Sequence, residues 1–171
     1  KRTVEGDLGL FHNLDTLSCI AEQENALYDE RKTDFELKVE KLKEVLSIPE
    51  GADQTECQLL LSRLAVKTAI DRHVGTVELV VTHNGEFWMQ RGKDMTQIKT
   101  VIGAGGPVAF SSDPLRVLEG AVFCETASNI LKPKAPRFYL DSKYILFAVG
   151  LLAQSDPAKA LRIIKKYLKQ I

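Results

Sequence analysis

The chain has 171 residues and 19.0 kDa, 44% of them apolar, enough for one large domain that needs neither a disulfide nor a metal to hold its core. Its 23 basic and 23 acidic side chains cancel, so no global field draws in nucleic acid or an anionic membrane. The longest apolar run, Tyr144 to Ala153, has ten residues, against the roughly 20 that a spanning helix needs.

The first segment, Arg2-Thr3-Val4-Glu5, reads as a strand end, and Gly6-Asp7-Leu8-Gly9 as a tight turn. A helical zone follows, from about Leu14 to Arg72. Asn13 or Asp15 can cap a helix that reaches about Tyr28. Thr33 with Glu36 offers a capping box for the next, along which Phe35, Val39, Leu42 and Leu46 recur at helical spacing. Pro49 stops it. The third helix is expected from about Asp53 to Arg72, with Leu60, Leu64, Val66, Ala69 and Ile70 as its apolar side.

Beyond residue 73 the pattern changes to β. Val77, Leu79 and Val81 alternate, Asn84-Gly85 follows, and Phe87 and Met89 alternate in turn, which is a hairpin signature. Residues 94–97 are a short polar piece. A buried strand is expected at Ile98 to Ile102, running straight into Gly103-Ala104-Gly105-Gly106. Asp113-Pro114 starts a helix to about Phe123. Residues 129–137 read as a loop with Pro133 and Pro136, and Asp141 caps a helix through Ala153. Ser155-Asp156-Pro157 opens a final helix with Ala160, Leu161, Ile164, Leu168 and Ile171 on one stripe. The order predicts a mixed α/β domain.

Cys19, Cys57 and Cys124 lie far apart, with no CxxC or HxxxH spacing to join them to His12, His73 or His83. They read as reduced, buried, small hydrophobes in a cytoplasmic protein rather than as metal ligands or nucleophiles. Two other stretches carry chemistry. Glycines at the carboxyl end of a strand let backbone N–H groups approach a phosphate or ribose, and ligands of open α/β sheets settle there. The Gly103–Gly106 cluster is neither a dinucleotide fingerprint, since Val108 stands where the third glycine belongs, nor a Walker loop, since Gly92-Lys93 runs into Asp94. A plain strand-to-helix turn explains it equally well. Asp7 between Gly6 and Gly9 can hold a magnesium-bound water beside a phosphate, or form an ordinary Asx turn.

Taken together, these stretches resemble a known family. Residues 2–9, RTVEGDLG, look like the same stretch of the glutamate mutase (methylaspartate mutase) accessory or reactivating proteins, the MutL of that operon and not of mismatch repair. Thr100 to Gly106 resembles their TVIGTGG with Ala104 replacing Thr, Gly92 to Thr96 their GKDLT, and Leu131 to Lys134 with Tyr144 to Leu146 their tail. The resemblance implies a lobe of the actin-like ATPase (ribonuclease H-like) fold. Residues 1–13 and 74–171 would form the lobe, and 14–73 an inserted helical subdomain. It implies ATP or ADP with Mg as cofactor, bound by the phosphate motif Asp7, Leu8 and Gly9 and the adenosine motif Gly103, Ala104, Gly105 and Gly106. Asp7 takes the catalytic and metal role, and Arg63 or Lys67 flanks the base. The family's first phosphate motif, an Asp-x-Gly hairpin, has no match here, and position 1 is Lys rather than Met. The expectation is therefore a C-terminal lobe, with ATPase activity only in a two-lobe protein. The implied function is ATP-dependent, chaperone-like reactivation of adenosylcobalamin-dependent glutamate mutase, whose subunits are the expected partners. A small-molecule kinase of the same fold and a nucleotide-independent interaction module remain the alternatives. In the latter, the helical zone of residues 14–72 and the basic last helix (Lys159, Arg162, Lys165, Lys166 and Lys169) dock an acidic partner.

Overall fold

A computed structural model describes residues 5–10, 12–23, 32–43 and 49–171. The expected strand end at Arg2 to Val4, the far end of the first helix at Tyr28 and the end of the second at Leu46 lie outside the described residues. Three helices open the chain, α1 (Leu14–Gln23), α2 (Lys32–Lys43) and α3 (Gly51–His73). Thr33, expected as a cap, lies inside α2.

The hairpin forms as expected. β1 (Thr76–Thr82) pairs antiparallel with β2 (Gly85–Arg91), in a register that leaves His83-Asn84 as the two-residue turn. A second sheet holds β3 (Thr100–Gly103), β4 (Arg137–Asp141) and β5 (Leu168–Gln170) in the order β3-β4-β5. β3 and β4 are parallel, and β5 returns antiparallel to β4. Between β3 and β4 come α4 (Gly106–Ala109), α5 (Pro114–Leu118) and two 3-10 turns at Glu119–Ala121 and Glu125–Ala127. The last helices are α6 (Leu146–Leu152) and α7 (Pro157–Tyr167).

Several expectations shift. β4 occupies the end of what reads as a proline loop, because its pairing partner lies 37 positions upstream, at Thr100↔Arg137. β5 takes Leu168 out of the final helical stripe for the same reason, since its hydrogen bonds go to β4. Asp141 ends β4 rather than starting a helix, yet its carboxylate still accepts from Ile145 N (3.1 Å) and Leu146 N (2.7 Å) at the start of α6. Only Cys57 is buried; Cys19 and Cys124 are exposed thiols, so burial does not account for them.

α3 is the axis of the molecule. Cys57, Leu61, Leu64 and Ala65 share one side at 3.6 residues per turn and pack with Leu8, Leu14, Leu17, Ala21, Val39 and Leu42. Leu59 and Val66 face the other way, into Val108, Val117, Leu118 and Leu140. One helix thus buries two opposite faces, against the helical zone and against the β3–α5 unit, rather than the single apolar side of Leu60, Leu64, Val66, Ala69 and Ile70 expected from its sequence. A bidentate Arg116–Glu56 pair (2.9 and 3.2 Å) ties α5 to the first turns of α3.

Candidate functional site

The glycine cluster sits at the carboxyl end of a strand that pairs in parallel, but that strand is Thr100–Gly103 rather than Ile98 to Ile102 and is not buried, since Ile98 and Ile102 are exposed and only Gly103 is covered. Gly103, the last residue of β3, is fixed there by close approach. A Cβ on it would lie 2.7 Å from Leu118 Cδ1 and 2.9 Å from Val108 Cγ1, so the strand end packs directly onto α4 and α5. Gly105 has φ +104°, a conformation that L side chains rarely adopt, and it turns the chain into α4, accepting from Val108 N (3.2 Å) and Ala109 N (2.8 Å). Outward from Gly105 and Gly106 there is open space, with nothing within 4 Å of an added Cβ. One side of the turn is therefore locked to the core, and on the other the Cβ directions of the half-buried Gly105 and Gly106 are open.

Asp7 lies elsewhere. Its two carboxylate oxygens each accept from Arg72 Nη1 at 2.9 Å, and Glu5 meets the same nitrogen at 3.0 Å. The Arg72 hydrogen bond holds the Asp7 carboxyl below its ordinary range, and the same contact, led by Asp7, raises Arg72. Leu8 is buried against the Leu61–Leu64 side of α3, and the turn is braced by Asn13 Nδ2 donating to Gly6 O at 3.2 Å and Asn13 N to Gly9 O at 2.9 Å. Beside it, Glu5, Ala69, Ile70, His73 and Lys93 line an open cleft of about 380 Å³. Lys93 Nζ stands 3.2 Å from His73 Nε2 there.

The structure brings Gly103, Ala104, Gly105 and Gly106 together but groups Asp7, Leu8 and Gly9 separately, with α3 between the two, so the two stretches expected to converge on one nucleotide do not share a pocket here. The glycine turn packs through Val108 on the Leu59 face of α3, and Leu8 packs on the opposite face. Arg72, which holds Asp7, is 13 residues beyond Leu59, about 20 Å along the helix at its 1.5 Å rise. Arg63 and Lys67 lie along the α3 backbone that Gly120 approaches, and Lys67 Nζ pairs with Asp71 at 3.1 Å. Among the described residues, no group of three or more His, Cys, Asp and Glu side chains is placed to hold a metal.

Two features escaped the sequence. Arg72 is 65 residues from Asp7, and no local pattern announces the pair. Lys132 is almost wholly buried, 2.6 Å from Asp71 Oδ1 in an ion pair and donating to Gly120 O at 3.3 Å. A buried lysine beside prolines reads locally as loop, yet here it clamps the segment before β4 to α3.

The turn and its mixed three-stranded sheet make this an α/β protein. The family follows from comparison. The model of the MutL protein family matches residues 1–168, and "Protein MutL" of Clostridium tetanomorphum is 36% identical over 175 residues. The chain belongs to the MutL family, the glutamate mutase accessory family that its motifs resemble. That match takes in all of this chain and 38% of the relative, so the chain spans well under half of the relative's length. No solved structure matches it.

Proposed function

We propose that this chain is the nucleotide-binding C-terminal part of an ATP-dependent reactivating protein for adenosylcobalamin-dependent glutamate mutase, built as an actin-like ATPase lobe with residues 14–73 inserted. Family membership supports the accessory role. The observation that carries the nucleotide is the glycine turn, with its main chain open on one side at the carboxyl end of β3. In this reading the adenosine lies against Gly105 and Gly106, where an added Cβ would meet nothing within 4 Å, while Gly103 holds the turn to the core. Asp7 as it stands does not fit a magnesium ion, since Arg72 occupies both carboxylate oxygens. In this reading Asp7 meets the metal-bound phosphates only when the 5–9 turn leaves α3 and exchanges Arg72 for the cation. Hydrolysis then belongs to the two-lobe protein, because half a cleft orients neither water nor metal. Nucleotide acts on the mutase through the difference in the partner's affinity for its tight and loose states.

Calorimetry with Mg-ADP on the full-length protein tests this. Gly105→Val puts a β-branched side chain at φ +104° and fills the open side, and affinity should fall at least about tenfold, which is 1.4 kcal/mol. Unchanged affinity removes the turn from the site. Asp7→Asn reads the second half: a parallel loss means that the 5–9 turn reaches the nucleotide. Unaltered binding confines the site to the glycines.

A further inference from the structure

The carboxyl end of α3 presents a cleft that the nucleotide reading does not use. His73 follows Ile70 and Ala69 by three and four positions, so the three share one side of the helix. With Glu5 and Lys93 they line an open space of about 380 Å³, within the size range of small-molecule sites. Lys93 is brought there by its main chain. Gly75, two residues beyond the end of α3, donates to Lys93 O at 2.7 Å. The two backbones approach so closely that a Cβ on Gly75 would run into Arg91 O and stand 2.7 Å from Gly92 C. That crossing delivers Lys93 beside the last turn of α3, with its Nζ 3.2 Å from His73 Nε2.

The charges around this cleft are balanced but not joined. Lys93 and Glu5 both line it, yet they do not pair. Among the described residues Lys93 meets no carboxylate, and Glu5 pairs only with Arg72, through Oε2 at 3.0 Å. A lysine ammonium only donates, so His73 Nε2 accepts one of its three N–H groups and the other two stay free for a ligand. Glu5 likewise keeps Oε1 free. Counted with Asp7, which shares Arg72, the local carboxylates and cations cancel, Glu5 and Asp7 against Arg72 and Lys93. A lone anion or a lone cation therefore gains little from the cluster as a whole. A molecule carrying both charges can meet Lys93 with one and Glu5 with the other. Ala69 and Ile70 add hydrocarbon to the same wall.

We infer that this cleft binds a small α-amino acid with an aliphatic side chain. Its carboxylate meets Lys93 Nζ, its ammonium meets Glu5 Oε1, and its side chain lies against Ala69 and Ile70. A metal ion is the poorer occupant, because Lys93 repels it and, among the described residues, no group of three or more His, Cys, Asp and Glu is placed to hold one. A phosphate dianion is poorer as well, because Glu5 and Asp7 repel it. The inference rests on the cleft alone and does not depend on the glycine turn or its nucleotide.

The test uses the full-length protein at about pH 7, where a free amino acid carries both charges. Three probes share one carbon skeleton: L-leucine, isocaproate, which lacks the ammonium, and isoamylamine, which lacks the carboxylate. Calorimetry and saturation-transfer NMR read the affinities. Wild type should bind L-leucine at least about tenfold more tightly than either fragment. Lys93→Met and Glu5→Gln should each lose about tenfold or more for L-leucine. The fragments should respond in opposite senses, Lys93→Met gaining affinity for the amine and Glu5→Gln for the carboxylate. A merely structural role does not produce that crossed response. Thermal unfolding checks that both variants fold, and if Glu5→Gln loosens the 5–9 turn, Lys93→Met decides alone. Absence of L-leucine binding at about 10 mM overturns the inference. So does isocaproate binding as tight as that of L-leucine, which marks a simple anion site, and so does L-leucine binding that Lys93→Met leaves unchanged. Mg-ADP is titrated into the same samples: leucine binding without nucleotide binding removes the proposed nucleotide and leaves the cleft assigned.

Discussion

Replacing Gly103 by alanine adds one methyl group at the point where the glycine turn is locked to the core. That Cβ would stand 2.7 and 3.0 Å from the two Leu118 methyl carbons and 2.9 Å from Val108 Cγ1. All three atoms are ends of side chains rather than backbone, so they must give way without the strand breaking. Leu118 is 4% exposed and Val108 9%, however, in a cluster that Leu59, Val117 and Leu140 close on the other sides. Overpacking of this kind costs about 1–3 kcal/mol, which in a chain of this length lowers the melting temperature by roughly 2–4 °C for each kcal/mol. Urea unfolding of wild type, Gly103→Ala, Leu118→Ala and the double variant measures it. Leu118→Ala alone opens a cavity and destabilises by about 2–5 kcal/mol. The double variant should lose less than the sum of the two, because the new methyl group occupies space that the leucine vacates. Additive losses, or a Gly103→Ala protein as stable as wild type, would refute the contact between the turn and α5, and with it the claim that one side of the turn is fixed.

Other outcomes follow from the ion pairs and caps. Lys132→Met should destabilise by about 1–3 kcal/mol, since Gly120 O and Asp71 Oδ1 lose their buried partner while Lys67 still pairs with Asp71; Lys132→Met/Asp71→Asn should recover part of that in the same unfolding assay. Asp141→Ala removes a buried carboxylate that accepts two N–H groups of α6, and a loss of about 1–2 kcal/mol is expected, checked by thermal unfolding. The Asp7 carboxyl is lowered in the folded state by Arg72, so the stability it contributes is present above the unfolded value near 4. That contribution fades as pH falls through the lower folded value. The protection factor against hydrogen exchange at the 5–9 turn, corrected for the intrinsic rate at each pH, should therefore fall on acidification below about pH 4, and Arg72→Met should flatten that response.

Local chemistry made much of this molecule legible. Apolar spacing and Pro49 bracket α3 within two residues, because a long helix advertises itself along its own length. Thr76 to Arg91 declares a hairpin, since alternation and a turn suffice to pair neighbours. The glycine cluster falls at the end of a strand as expected, and its motif carries the family. What failed was long-range. β4 and β5 are strands only because each finds a partner far along the chain, and five residues such as Arg137–Asp141 hold too little pattern to show it.

The sequence by itself determined which elements exist wherever their hydrogen bonds close locally, and which two glycine-bearing stretches carry the family resemblance. Only the tertiary structure decided that α3, burying two faces, stands between those stretches and that Arg72 holds Asp7. Helix packing and ion pairing join residues by distance in space, a quantity that periodicity along a chain does not encode.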